Sequence, residues 1–365
     1  MSTLQDQRIL ITGANGGIGK ATSELLLRDG VGHLLMAGRR AERVEAARAE
    51  LMSSTGAEGA RISAHAGFDM LDPDAIRAAV DGLPDKQIDT VFLQAGGWVV
   101  APDYPKHDWR GQQYERTSFQ NALGGHAVIA ALEARGLLRP GARIVVMGGE
   151  GARGVPGMIA PAAFADAAAL KRYLQGDTAG YPAYQPVNAL GTSKFINALW
   201  AQKLAGLGTY EVVWFTPGFT GGTAGTQGLP GWKEFVFQRI AFPVFVMLGQ
   251  AQWPDTAARK TADAVSGRIG RNGDLLGAPQ GKAIGPITDQ KPMQPQFSDA
   301  SFQDAVWEIA VEVGGPVAAH SLHALDGSIM YRCSDSAGAV RGEQQTDCVA
   351  DLAEIIAHAP VRATP

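Results

Sequence analysis

The sequence predicts an α/β fold, a doubly wound parallel sheet of Rossmann type with long loop insertions and a C-terminal extension. Three observations predict it. Apolar runs of strand length alternate with helical segments, the pattern of a parallel sheet covered on both faces. A glycine-rich loop follows the first apolar run and opens the first helix, which is where a Rossmann fold carries its phosphate loop. The 365 residues, 45% apolar and 19% charged, suffice for a soluble core of one large domain or two smaller ones.

Taken in order, Arg8–Thr12 reads as the first strand and Lys20–Asp29 as the helix after the glycine loop. His33–Ala37 is a second strand and Ala41–Met52 a helix with its charges on one side. Ile62–Ala66 and Thr90–Leu93 are two more strands, with Asp74–Val80 helical between them. A long helical stretch, roughly Trp109–Arg135, precedes the strand Arg143–Met147. The last repeat is a helix over Asn188–Ala205 and the strand Glu211–Phe215. Two insertions break this rhythm, 148–187, with a short helix at Ala162–Leu174, and 216–254. Loops of that length in a compact domain are usually functional or unstructured. The expected organisation is a nucleotide-binding and catalytic domain over 1–320 and an extension over 321–365, with a short helical pattern at Val349–His358.

Charge and cysteine content exclude several classes. A net charge of -4 gives no reason to expect a nucleic-acid partner. The two cysteines, Cys333 and Cys348, make no disulfide framework and have no metal-ligand spacing, so no metal is expected. The polar start Met1–Arg8 lacks the pattern of a signal peptide, and a cytoplasmic location is expected. Phe235–Leu248 is apolar but too short to span a bilayer and is broken by Arg239 and Pro243. A lid or core helix is favoured there over peripheral membrane contact.

The chemistry of the loop follows from Thr12-Gly13-Ala14-Asn15-Gly16-Gly17-Ile18-Gly19. Gly13 permits the tight turn, Gly17 lets backbone amides approach phosphate, and Gly19 lets helix and sheet pack closely. The helix N-terminus then offers free N–H groups and a partial positive charge to a pyrophosphate. An acidic residue after the second strand would accept the 2′-OH of NAD; Gly38-Arg39-Arg40 stands there instead. Guanidinium groups suit a 2′-phosphate, so NADP(H) is the expected cofactor. Asp69, with Met70 beside it, is placed to accept from the adenine amino group; the alternative for Asp69 is a helix cap ahead of Asp74.

Further motifs follow in order: Gln94-Ala95-Gly96 where Asn-Ala-Gly is usual, Asn121, Ser193-Lys194, and Pro217-Gly218 followed by Thr223. Together with the glycine loop and Asp69 they resemble the short-chain dehydrogenase/reductase superfamily over residues 5–315. The two long insertions look most like the retinol dehydrogenase and protochlorophyllide reductase branch. The resemblance implies an NADP(H)-dependent oxidoreductase whose site combines an Asn, a Ser, a Tyr and a Lys. Asn121 matches the Asn that anchors a water, and Lys194 the Lys that holds the nicotinamide ribose and lowers the Tyr pKa. The Tyr should stand four residues before the Lys, on the same helix face, but Leu190 is there, and Gly149 occupies the Ser position.

Leucine moves no proton, and glycine cannot polarise a carbonyl. Three explanations compete. Replacement groups take over the acid–base work, from among Tyr184, Tyr181, Glu150 and His126. Alternatively, hydride passes to an activated C=C or C=N bond, where a weaker or solvent-borne proton donor suffices. The third explanation is a non-redox enzyme or a cofactor-sensing binding protein on the same scaffold. Trp232, Phe235, Phe237, Phe242, Phe245 and Trp253 in the second insertion fit a lid over a large, hydrophobic small-molecule substrate. Core packing of a helix pair and a partner surface, such as that of a homodimer, are the alternatives.

Overall fold

A computed structural model of the chain describes residues 3–221, 246–247, 249–317, 320–325 and 328–333. Met1–Gly206 and Tyr210–Val317 form one unit, and Leu207–Thr209 and Ala318–Pro365 a second. Trp232, Phe235, Phe237, Phe242, Phe245, Thr223, Cys348 and the Val349–His358 pattern lie outside the described residues.

The first unit is built on a sheet whose described strands are β1 (Arg8–Thr12), β2 (His33–Ala37), β3 (Ile62–His65), β4 (Ile88–Leu93), β7 (Leu138–Met147), β8 (Glu211–Phe215), β9 (Leu275–Gly277) and β10 (Thr288–Asp289). Their spatial order is β10-β9-β8-β7-β4-β1-β2-β3. Every pairing is parallel except β9 with β10. The chain runs outward from β1 in one direction to β3 and then returns through β4 in the other. Ligands bind at the carboxyl ends of strands flanking such a switch. β1, β2 and β8 begin and end where the apolar runs predict.

Alternation along the strands sorts the core into two layers. Ile9, Ile11, Met36, Phe92, Val145 and Val213 share one buried cluster with residues of α1 (Gly17–Arg28), α2 (Ala41–Thr55) and the helix Pro254–Val265, here α8. On the opposite side, α3 (Pro73–Asp81) packs on α5 (Gly124–Ala134). There α9 (Ala300–Gly314) packs on α5, on α6 (Ala167–Leu174) and on α7 (Pro186–Gly206).

Three local expectations are corrected. Trp109–Arg135 is not one helix: β5 (Lys106–Trp109) and β6 (Gln112–Glu115) form an antiparallel hairpin, and helix begins only at α4 (Arg116–Ser118). Arg110 and Gly111, both at positive φ (53° and 80°), close that hairpin, a conformation its turn requires. Strand β7 starts at Leu138, because Pro140 and Gly141 fall in an irregularity where its register against β4 shifts. Helix α6 starts at Ala167, where Asp166 accepts from the Ala169 amide at 2.7 Å and caps it.

Between α4 and α5 the helix widens into a π-turn, Phe119–Leu123. His126, one turn further on, is fully buried. Its Nδ1 accepts from Trp200 Nε1 at 3.0 Å, which leaves Nε2–H to donate to Gly315 O at 2.8 Å. Burial pushes its imidazole from 6.5 down to about 4. The unfolded chain therefore binds a proton between these values that the folded chain does not, and stability falls as pH drops from 6.5 towards 4. The loss amounts to about 3 kcal/mol at 1.36 kcal/mol per pKa unit. Urea titrations at a series of pH values should show this slope in the wild type and a flatter one in His126→Gln; equal slopes would assign acid sensitivity to other groups.

In the second unit, β11 (His320–Leu325) pairs antiparallel with β12 (Ser328–Cys333). Among the described residues no helix is long and apolar enough to cross a membrane.

Candidate active site

The loop after β1 is shaped for a phosphate. Gly13 (φ +69°) and Gly17 (φ +52°) adopt the left-handed conformation that side chains resist. Gly16 opens α1 with no side-chain cap, and nothing lies within 4 Å of where its Cβ would be. The first-turn amides of Gly17, Ile18 and Gly19 have no partner earlier in the helix. At Gly19 a Cβ would stand 2.5 Å from Gly13 O and 2.6 Å from the Gln94 side-chain amide.

Thr12 and Gln94 hold this loop to the next strand. The Gln94 and Ala95 amides both donate to Thr12 Oγ1 at 3.0 Å. The Gln94 side-chain nitrogen donates to Gly13 O at 2.9 Å and to Thr12 O at 3.2 Å. Gln94 thus has a positive reason to stand where Asn is usual. At Gly38 a Cβ would meet Val44 and the Asn15 side chain, which leaves that position bare. Arg39 and Arg40 are exposed just beyond it, and Arg39 approaches Asp69 at 3.8 Å. A surface pair so loose contributes little, so both guanidinium groups are free to turn towards a phosphate. Asp69 accepts from the Leu71 amide at 3.1 Å. The cap of α3 is Asp72, which accepts from Asp74 and Ala75, so the helix-cap alternative for Asp69 is not what the structure shows. Met70 packs under Gly124, where any Cβ would strike its backbone.

Asn121 sits in the π-turn, a distortion often found at functional sites. Its Nδ2 donates to Gly97 O at 2.6 Å and Thr117 O at 2.8 Å, and its Oδ1 accepts from the Gly97 amide at 3.1 Å. A Cβ at Gly96 would collide with that oxygen, so the glycine is what lets Asn121 reach the loop after β4. Sequence reasoning missed Asn197, which ties the site together. Its Nδ2 donates to Asn121 O (3.3 Å) and Met147 O (3.2 Å), and its Oδ1 accepts from Trp214 Nε1 at 2.6 Å. An asparagine one turn beyond Lys194 on the same helix was the available signal.

Lys194 reaches the end of β7 from α7, its Nζ donating to Met147 O at 2.8 Å. Burial pushes its ammonium down to about 8. Ser193 beside it turns back to Leu190 O at 2.8 Å. Gly149 has extended backbone (φ -177°, ψ 140°), and a Cβ there would lie 3.2 Å from Lys194 Cγ. Gly148 admits no side chain, because Trp214 fills the space. The turn Glu150–Arg153 presses on α7 at Gly191, where a Cβ would be 2.8 Å from Gly151 O.

The other sequence-derived candidates are each engaged elsewhere. Glu150 is buried; it accepts from Thr216 Oγ1 at 2.8 Å and the Ala278 amide at 3.3 Å. Burial raises its pKa, against the lowering effect of these donors. The Tyr184 hydroxyl donates to Val99 O, beside the Gly97 contact of Asn121, and burial raises its pKa. The Tyr181 hydroxyl donates to Ala169 O at 3.0 Å. Pro217 and Gly218 follow β8, where Gln252 Nε2 donates to Pro217 O and the Gly218 amide to Thr216 Oγ1. Ile159 lies over Gly151 and Gly191 and also lines a cavity of about 560 Å³ with Met158, Gln185, Asn188 and Met293. Arg153 borders it, but its guanidinium is spent on Gln290 and on backbone carbonyls, Lys282 O among them. Among the described residues no cluster of three or more His, Cys, Asp or Glu is arranged to hold a metal.

Comparison with known proteins bears on the glycine loop and the first half of the sheet, up to residue 163. Residues 7–163 match the family model described as short chain dehydrogenase. Serine 3-dehydrogenase of Rhizobium radiobacter is 39% identical over 107 residues, 28% of this chain and 39% of the relative. The enzyme of the same name from Agrobacterium fabrum matches to the same extent. The matched stretch thus spans about two-fifths of these relatives' length. A short-chain type dehydrogenase/reductase from Mycobacterium ulcerans superposes with a TM-score of 0.53 at 20% identity, over 84% of this chain and 99% of that one. An uncharacterized protein from Mycobacterium paratuberculosis gives 0.56 at 20% identity, over 86% and 95%. At such identities the structures speak for the fold alone. Over residues 7–163 the chain is similar to the short-chain dehydrogenases, and its fold is similar to theirs over most of its length.

Proposed function

We propose that the chain is an NADP(H)-dependent oxidoreductase that handles protons without the family's tyrosine and serine. Its substrate is a bulky, mostly apolar small molecule, reduced at a C=O, C=C or C=N bond or oxidised in reverse. The observation that carries this reading is Lys194, held at the end of β7 in hydrogen-bond contact with Met147 O, within a site whose glycine loop stays open for phosphate. Arg39 and Arg40, with no acid at Gly38, favour NADP over NAD. Among the described residues that line the cavity of about 560 Å³, the cation Arg153 is already engaged, which supports an uncharged molecule, and the volume falls in the usual range of ligand pockets.

When bound, the dihydronicotinamide supplies the hydride. The chain's own residues do the rest. Gly13 to Gly19 and the α1 N-terminus hold the pyrophosphate. Thr12 and Gln94 keep that loop in register with β4. Asp69 and Met70 would border the adenine, and Ala95, Gly96, Pro217 and Gly218 the nicotinamide side. Asn121 fixes the floor below Gly97, and Lys194 directs its ammonium to the ribose. Tyr184 and Glu150, the remaining candidates, stay bound to Val99 O and to Thr216 and Ala278.

Calorimetric titration with NADPH and NADH tests the cofactor, and loss of nicotinamide absorbance with a panel of ketones, enones and imines tests the chemistry. L-Serine with NADP⁺ belongs in the panel because of the named relatives. Tight NADPH binding with no turnover would sink the redox reading. It would favour the second one, a non-redox enzyme or cofactor-sensing protein, which Leu190 and Gly149 motivate. On that reading, Lys194→Ala and removal of the cofactor leave the activity largely intact.

A further inference from the structure

The four groups that the sequence offers in place of the missing tyrosine are each committed to another partner. His126 has both ring nitrogens bound within the core, and Glu150 is taken by Thr216 and Ala278. Tyr181 and Tyr184 each give their hydroxyl proton to a backbone carbonyl. Lys194 differs from all four. An ammonium has three hydrogens, and among the described residues one of them is used, on Met147 O. Leu190 stands one turn before it where the family's hydroxyl would intervene, and Gly149 leaves the flank of its stem bare.

Of the charged groups on elements packed against α7, Arg116 of α4 keeps a buried Nε without a partner but does not act on the Lys194 ammonium, and the following are turned to other partners. Glu150 and Arg153 are bound as described above. Glu115 caps the Thr117 and Ser118 amides, Asp304 pairs with Lys203, and Glu308 with Lys171. Burial alone acts on the Lys194 ammonium.

We infer that Lys194 itself is the proton donor of the reduction, an assignment that rests on the redox reading above. As hydride from NADPH adds to the electrophilic carbon of a C=O or C=N group, one Nζ–H bond breaks. Its proton passes to the substrate oxygen or nitrogen, which takes up the electron pair of the broken π bond. The neutral amine then regains a proton from solvent; oxidation runs the same steps backwards. An ammonium at about 8 is still protonated at neutral pH, yet releases its proton more readily than an ordinary lysine, which suits a general acid. Reduction therefore proceeds at full rate below about pH 8 and slows above it, as the donor is lost.

Two measurements test this. The first follows the side-chain resonance of Lys194 in isotope-labelled protein, assigned by its absence in Lys194→Arg. A midpoint near 8 is expected, and one at the ordinary 10.5 overturns the proposal whatever the substrate. The second uses NADPH with the panel compounds that turn over. Lys194→Arg keeps a cation but cannot release a proton, so it should bind NADPH while kcat falls about 100-fold. Lys194→Ala should regain rate with added alkylamines, in proportion to their basicity. Unimpaired turnover by Lys194→Arg overturns the proposal and spares the redox reading, as does a high-pH limb that disappears in Tyr184→Phe. NADPH binding without any turnover overturns both.

Discussion

Gly19→Val should leave a folded chain that binds NADPH about 10–100-fold more weakly than the wild type. The valine Cβ would enter a space bounded by Gly13 O at 2.5 Å and the Gln94 amide at 2.6 Å. The first is backbone and moves only if the turn moves; the second is the side chain that ties the loop to Thr12. Overpacking of this kind costs about 1–3 kcal/mol. Relieving it opens the loop, so the cost falls on the phosphate site and not on the sheet beneath. At 1.4 kcal/mol per factor of ten this means about 10–100-fold weaker binding, and more where the displaced amides lose the pyrophosphate altogether. Calorimetry with NADPH reads the loss, and circular dichroism shows whether the fold survives. Unchanged affinity would mean that the nucleotide does not lie on this loop.

Restoring both missing groups, by Leu190→Tyr with Gly149→Ser, should raise carbonyl reduction by about 10-fold, because Lys194 already supplies part of the 10²–10⁴-fold worth of a positioned acid. The backbone at Gly149 is extended and accepts any residue. A serine Cβ would lie 3.2 Å from Lys194 Cγ, a contact that a flexible lysine stem relieves by moving a few tenths of an ångström. The phenol introduced by Leu190→Tyr would stand one helical turn from the ammonium. The gain is measured as kcat/KM for the ketones of the panel against the wild type, with each single change as control. No gain would mean that the Glu150–Arg153 turn has reshaped the pocket around the leucine.

The sheet was legible because parallel strands buried on both faces read as uninterrupted apolar runs; β1, β2 and β8 are such runs. The β5–β6 hairpin was not. Its strands are polar, with much of their length exposed, and its turn is Arg-Gly, a weaker signal than Asn-Gly or Asp-Gly. The loop and strand-end residues from Thr12 to Gly96 could be placed because a local motif fixes their spacing. Asn197 and the Thr216–Glu150 contact could not, since they arise between segments remote in sequence. The engagement of Tyr184, His126 and Glu150 was likewise hidden. Residue type says what a side chain can do chemically, while its neighbours decide whether it is available.

The π-turn at Phe119–Leu123 has a consequence for how this helix tolerates change in length. A wide turn takes up one residue more than the α-helical repeat, so the segments before and after it are out of rotational step by about 100°. Asn121 lies within that offset, and Gly124, which meets Met70, lies immediately after it. Loss of a single residue at Ala122 would bring the two halves back into step as one continuous α-helix. The carboxamide would then swing away from Gly97, while Gly124 or its neighbour Gly125 would still present hydrogen to Met70. Substitution tables would rate Ala122 as an ordinary small core position, yet it is where the reading frame of the helix is set for the asparagine.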